Sequence, residues 1–381
     1  MKILHITPSF YPAFVYGGPI VSVYNLCRNL IGTGCEVRVL TTDANGAGSV
    51  LDVDTDRELE TDGGLRVRYC HRLLDVSVSP GMLRWLPSYV RWADVVHLMA
   101  VYSFPTIPAL MVCKAMGKPV VWSPRGMLQR WEGTRRPGLK AIWETACRIV
   151  SPSRMVLHVT SDQEAAETSQ RMPGARLATI PNGIEIPETR QPPAARDHFR
   201  LVYLGRIDPK KGIENLLDAY QMLNGNLGRP SSLTIAGSGD PFYTKAIESR
   251  IASSPSPGSI RMIGAVEGQA KTELLTNADV VVVPSHTENF GLVVAEALAQ
   301  GVPVIASKGT PWSRMEEVGC GLWIDNSPAS LASGIERISN MPLGEMGRKG
   351  REWVTREFSW PLIAQRMTSL YSEMAAMESA R

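Results

Sequence analysis

Two carboxylates and two cations in this sequence have the types and spacing to hold a phosphorylated, hydroxyl-rich ligand. Glu288 and Glu296 stand eight positions apart, directly after the apolar run Val280 to Val283. A β-branched run ending in Pro284-Ser285 reads as a buried strand, and Leu292 to Ala299 reads as a helix. Both carboxylates therefore belong near the carboxyl end of a strand, where open α/β sheets bind their ligands. The turn from Asn289 to Gly291 opens the helix, so its unpaired amides favour an anionic group such as a phosphate. Each carboxylate can accept two sugar hydroxyls. A loop carboxylate followed by an exposed helix carboxylate is the plainer alternative.

The cations come from an earlier segment. Leu201 to Leu204 reads as a short strand, then a turn containing Gly205 and Pro209, then an amphipathic helix with Ile213, Leu216, Leu217 and Tyr220 at helical spacing. Arg206 and Lys211 flank that turn, so both can reach one diphosphate, Arg206 through its planar fork and Lys211 as a point charge. Basic residues at a helix start are also often merely solvated. Near the start of the chain, Gly17 and Gly18 follow the first strand and precede a helix. They do not form G-x-G-x-x-G, and they fit a phosphate or acceptor loop as well as a turn that needs positive φ.

Taken together, these segments resemble the family 4 glycosyltransferases, retaining enzymes of the GT-B fold. The resemblance rests on Glu288-x7-Glu296 with Phe290-Gly291 between the glutamates, downstream of Gly205-Arg206-x4-Lys211-Gly212. Further matches follow in order: Tyr16-Gly17-Gly18-Pro19, Ile180-Pro181-Asn182-Gly183-Ile184, Gly301 to Ala306, and Phe358-Ser359-Trp360. The resemblance implies two Rossmann-like α/β domains facing across a cleft, and a nucleoside-diphosphate sugar as donor. It implies that Glu288 holds sugar hydroxyls, Glu296 the ribose, and Arg206 and Lys211 the diphosphate. The amides of Asn289, Phe290, Gly291 and Leu292 would line sugar and phosphates, and the Gly17-Gly18 loop would close over donor and acceptor.

One departure bears on mechanism. Many relatives carry Thr-x-His-Gly after the strand that here ends near Trp122, whereas this chain reads Ser123-Pro124-Arg125-Gly126-Met127. Arg125 thus stands where the histidine would, and a subset of bacterial polysaccharide enzymes is similar in this respect. His97 is the other candidate, although its place in Val95 to Leu98 suits a satisfied core residue. No paired carboxylate appears in this half, which argues against a covalent glycosyl-enzyme. The resemblance implies instead that the donor phosphate assists the acceptor hydroxyl while arginine and lysine stabilise the departing diphosphate. No cofactor and no metal is expected, because Arg206 and Lys211 can neutralise that charge.

Two α/β halves must position these groups. In the first, Lys2–Ile6, Glu36–Leu40, Leu65–Tyr69, Val95–Leu98, Pro119–Trp122 and Val156–Val159 read as strands, with Ile20–Leu30 and Lys140–Val150 among the helices. In the second, Leu201–Leu204, Ser232–Ala236, Ile260–Ile263, Val280–Val283 and Val302–Ala306 read as strands. Such alternation implies parallel sheets. The stretch from Pro187 to Arg200 lacks periodicity and reads as a linker. The domains are expected at 1–183 and 184–360, with 361–381 a helix packing back toward the first.

Composition narrows the partners. At 381 residues the chain suits two domains, and 44% hydrophobic with 20% charged residues is ordinary for a globular protein. A net charge of +3 gives no argument for nucleic acid. The six cysteines show no C-x-x-C or metal-like spacing, which suits reduced thiols in a cytoplasm. The opening apolar stretch is broken by His5, Thr7 and Pro8 and reads as a strand rather than a signal peptide. No apolar run approaches a membrane span. Basic residues with tryptophans, in 81–92 and in 125–154 around Trp131 and Trp143, fit peripheral contact with the inner face of an anionic membrane, or equally a solvated face over core tryptophans. The expected function is a metal-independent, retaining transfer of a sugar to a glycan or lipid-linked acceptor in bacterial surface polysaccharide assembly. A non-catalytic nucleotide-sugar-binding protein and a phosphorylase-like enzyme of the same fold are the alternatives.

Overall fold

The computed structural model of the protein describes residues 1–61, 63–74, 77–129, 136–188, 197–223 and 227–376. Its first unit comprises Met1–Gly183 together with the chain from Trp360 onward, and its second Ile184–Ser359.

Strands of the first unit are β1 (Lys2–Ile6), β2 (Glu36–Thr42), β3 (Leu59–Thr61), β4 (Leu65–Cys70), β5 (Val95–Met99), β6 (Val120–Ser123), β7 (Met155–Val159) and β8 (Arg176–Thr179). Between them run α1 (Gly18–Gly32), α2 (Pro80–Trp92), α3 (Thr106–Ala115), α4 (Pro137–Val150) and α5 (Asp162–Arg171). The sheet order is β3-β4-β2-β1-β5-β6-β7-β8, parallel throughout except for β3 against β4. β1 lies inside the sheet, with Ile3 level with Val37 on one side and Val95 on the other. Strands covered on both faces need apolar residues at nearly every position, and Val95–Met99 is buried at all five.

Strands of the second unit are β9 (Phe199–Leu204), β10 (Ser231–Ala236), β11 (Ile260–Met262), β12 (Val280–Val283), β13 (Val304–Ser307) and β14 (Gly321–Ile324), all parallel, in the order β11-β10-β9-β12-β13-β14. Its helices are α6 (Ile213–Met222), α7 (Pro241–Ala252), α8 (Gly268–Thr276), α9 (Leu292–Ala299), α10 (Arg314–Val318), α11 (Pro328–Ser339) and α12 (Leu343–Phe358). The expected helical stripe is realised: Ile213, Leu216, Leu217 and Tyr220 are all buried in this unit's core. The supposed linker is shorter than the sequence suggests, since Phe199 and Arg200 already belong to β9, while 189–196 lie outside the described residues. The last helix, α13 (Trp360–Ala376), returns to the first unit, where Trp360, Ile363, Met367, Leu370, Tyr371 and Met374 join the core that holds Ile3 and Val95.

Three strands escape the sequence reading for identifiable reasons. β3 is three exposed or half-exposed residues, β8 is an edge strand with no fully buried position, and β14 opens with a glycine and carries no β-branched run. Gly321 is required there, because a Cβ would come within 2.3 Å of the Val304 carbonyl oxygen on β13.

Candidate active site

In the second unit, the loops after β9, β10, β12 and β13 meet at the carboxyl edge of the sheet. Backbone bonds tie them together: His286 N–H donates to Lys210 O at 2.9 Å, Glu288 N–H to Gly309 O at 2.8 Å, and Ile207 N–H to Ser238 O at 2.9 Å. Close approach demands glycines. Gly212 adopts φ +65°, and a Cβ there would lie 2.1 Å from Pro284 O, so only glycine lets the turn bearing Lys211 settle against the end of β12.

That turn delivers Lys211 to Glu288: the lysine Nζ donates to Glu288 Oε1 in an ion pair whose side chains are 16% and 14% exposed. Ser285 Oγ donates to the same oxygen at 2.9 Å. Arg206 is exposed and lies 3.7 Å from the Asp208 carboxylate, so its guanidinium is held only loosely. Between them sits Lys210, whose ammonium is pushed below the usual lysine range, chiefly by burial.

Glu296, on α9, has a partner the sequence did not suggest. Lys271 of α8 donates to Glu296 Oε1 at 2.5 Å, while Glu296 Oε2 is buried with no hydrogen-bond partner. No local spacing links residues on two different helices, so only the fold makes this pair visible. α9 itself starts at Leu292 after Gly291, which takes φ +75° and offers no side-chain cap. The first amides of such a helix have no intrahelical acceptor. Phe290 anchors the turn: its ring is buried beside Trp312 and Phe358, with centroids at 5.2 and 5.9 Å, and its carbonyl accepts from Trp312 Nε1. Its side chain is therefore scaffold, and the backbone of Asn289, Phe290 and Gly291 forms the turn that leads into Leu292 and α9.

In the first unit, Gly17 has φ +75° and caps α1, whereas Gly18 is already the first helical residue. Tyr16, Pro19 and Ile20 line a cavity of about 450 Å³ with Thr7, Arg72 and Arg125 among its other walls. Arg125 adopts φ +54°, and its guanidinium donates to Ser22 Oγ at 3.2 Å and to Asn182 Oδ1. The arginine in the expected histidine position thus also braces the Pro181-Asn182-Gly183 segment. Beneath it the next residue, Gly126, donates its amide to Glu164 Oε1 at 2.6 Å.

His97 proves to be a core residue within a buried chain of hydrogen bonds. Its Nδ1 meets Tyr371 OH at 2.6 Å and its Nε2 meets Ser123 Oγ at 2.7 Å; Ser123 Oγ meets His158 Nδ1 at 2.7 Å, and His158 Nε2 reaches Ile180 O at 2.8 Å. Because a carbonyl only accepts, His158 donates from Nε2, Ser123 donates to His158, His97 donates to Ser123, and Tyr371 donates to His97. Every member is satisfied with both rings neutral. Burial and the nearby Arg125 hold His158 down to about 3, and burial holds His97 well below its ordinary value.

Among the described residues there is no group of three or more His, Cys, Asp or Glu side chains that could hold a metal ion, and no helix is long and apolar enough to cross a membrane. All six cysteines are buried and unpaired.

Each unit is built on a largely parallel α/β sheet, and the second carries a polar cluster at its carboxyl edge, which is the architecture of the GT-B fold. Residues 16–187 match the family model described as Glycosyltransferase Family 4, and residues 185–353 match that of Glycosyl transferases group 1. The chain belongs to the family 4 glycosyltransferases. It is 26% identical to the D-inositol 3-phosphate glycosyltransferase of Xylanimonas cellulosilytica, over 96% of this chain and 94% of that one. Among solved structures, sucrose-phosphate synthase from Thermosynechococcus elongatus superposes with a TM-score of 0.77 at 22% identity, covering 99% of both chains. The Anabaena protein HepE, in complex with UDP and glucose, superposes with a TM-score of 0.74 at 17% identity, covering 98% of this chain and 100% of that one.

Proposed function

We propose that this glycosyltransferase moves a sugar from a nucleoside diphosphate to a glycan or lipid-linked acceptor, with retention of anomeric configuration and without a metal. The reading places it in bacterial surface polysaccharide assembly, in the cytoplasm and in peripheral contact with the inner face of the membrane. The observation that carries the donor assignment is the Lys211–Glu288 pair beside the amino end of α9. A diphosphate arriving there gains the amides at Gly291 and Leu292, the Lys211 ammonium and the Arg206 fork, all of which favour negative charge. Glu288 then turns its oxygens to sugar hydroxyls, and the unpartnered Oε2 of Glu296 accepts from the ribose. Charge growing on the leaving diphosphate is stabilised by Lys211 and Arg206, with Arg125 as a further cation, so these groups act more strongly in the transition state than in the ground state.

A thermal-shift panel of UDP, GDP, ADP and dTDP with their sugars tests the donor, UDP first because HepE is seen with it. A ligand at a hundred times its dissociation constant adds about 2.7 kcal/mol of stability. Stabilisation by none of them overturns the donor reading. A product of inverted configuration by NMR overturns retention.

A further inference from the structure

The stretch between Asp94 and Asp162 is charged unlike the rest of the chain. It holds nine basic residues and two acidic ones, Glu132 and Glu144, a net of +7; since the whole chain carries +3, the remainder carries −4. One of those carboxylates, Glu144, is buried and accepts from Tyr102 OH. On the outer side of α3 and α4, the same stretch leaves large aliphatic side chains in solvent. Leu139 is 61% exposed, Ile142 and Ile149 are each 68%, and Met111 is 53%. Leu139, Ile142 and Ile149 fall within one quarter of the α4 circumference at helical spacing. Lys114 of α3 donates to Ile149 O at 2.7 Å, which brings Met111, one turn earlier on α3, to the end of this stripe. Exposed Arg148 and Lys114 flank it.

We propose that this face of α3 and α4 is the surface by which the protein lies on an anionic lipid bilayer. The assignment rests on the membrane-facing reading above and gives it an address. Aliphatic side chains rimmed by cations, on a helix too short and too charged to span, match the apolar boundary and anionic headgroups of a bilayer surface. Among the described residues the tryptophans are otherwise engaged: Trp143 donates its Nε1 to Val101 O at 2.7 Å, and Trp85 and Trp92 are covered by the guanidinium groups of Arg68 and Arg38 at 4.2 and 4.3 Å, while Trp131 lies outside the described residues.

Co-sedimentation of the full chain with phosphatidylcholine vesicles, with and without phosphatidylglycerol, tests the proposal. The wild type should pellet with the anionic vesicles only, and added salt should weaken binding. Ile142→Glu with Ile149→Glu, and separately Arg148→Glu, should each weaken it about tenfold or more while UDP-induced thermal stabilisation stays at the wild-type value. These are solvent-exposed positions, and Arg148→Glu checks the face without touching its apolar part. Wild-type binding with all variants unchanged overturns this surface but leaves membrane contact standing. Wild type that ignores both vesicle types overturns the surface and membrane contact together. Retention on immobilised poly-glutamate through the same residues, with vesicles ignored, would mark an acidic polypeptide as the partner and overturn the lipid assignment.

Discussion

Lys211 and Glu288, 77 positions apart in sequence, meet as a nearly buried ion pair at the carboxyl edge of the second sheet. The two residues expected to serve different parts of a donor, its phosphates and its sugar, hold each other. Removing one partner of such a pair leaves an uncompensated charge at a cost of up to about 3 kcal/mol. Lys211→Ala should therefore lower stability as well as weaken nucleoside diphosphate binding, and Arg206→Ala, whose partner is loose, should weaken binding alone. Chemical denaturation together with calorimetric titration separates the two; equal loss of stability in both variants would refute the distinction.

The glutamates should differ in what they bind. Glu296→Gln weakens nucleotide and nucleotide-sugar alike, whereas Glu288→Gln leaves nucleoside diphosphate affinity nearly intact and depresses turnover. Lys271→Ala should resemble a weaker Glu296→Gln, with affinity falling by about tenfold, because the lysine fixes the carboxylate without touching ligand. Affinities by titration decide it, and a Glu288→Gln loss as large as that of Glu296→Gln would reverse the roles.

Gly212→Ala is expected to be severe, since the new Cβ meets Pro284 O at 2.1 Å and the backbone is left-handed there. A cost above about 2 kcal/mol follows from strain plus displacement of the Lys211 turn. A melting temperature within error of wild type would show that the turn is not held against β12.

Arg125→Ala should lower kcat by on the order of 10²-fold with donor affinity changed much less, and Arg125→Lys should recover only part. Asn182→Ala is the control, because it removes the acceptor that Arg125 grips while leaving the cation. If both variants lose stability equally and keep kcat, Arg125 is a brace and nothing more.

Acid should weaken the first unit through its histidines. His5 is fully buried with no partner for either ring nitrogen, its ring is 4.7 Å from that of His97, and burial, with Arg125 and His158 nearby, holds it down to about 3. The unfolded chain protonates near 6.5 and the folded one only near 3, so stability present above 6.5 is lost as pH falls between those values. His5→Leu should be neutral or stabilising at pH 7 and should flatten the acid limb by up to about 1.4 kcal/mol per pH unit. Urea midpoints measured from pH 7 to pH 4.5 check this; an unchanged slope would count against it.

Much of this was legible beforehand, and the parts that were not share a cause. Val280 to Val283 announces a buried parallel strand because both its faces need apolar residues, and Gly212 beside Lys211 announces a turn. Lys271 opposite Glu296, and Ser123 between His97 and His158, involve partners on separate elements, where residue type alone carries no spacing signal. β14 was hidden for a different reason: its glycine serves a neighbouring carbonyl rather than strand propensity. Arg125 was visible as an oddity, but its grip on Asn182 was not.

The return of α13 reverses the order in which the two units can be finished during synthesis. Residues 184–359 are contiguous and can fold as soon as they emerge, whereas the first core must wait for Trp360, Met367 and Tyr371. Until then Gly183 lacks the indole that packs on it and His97 lacks its tyrosine donor. Chains arrested after Ser359 should resist protease across the second unit and be cut throughout the first. The half that a ribosome makes first is the half it completes last.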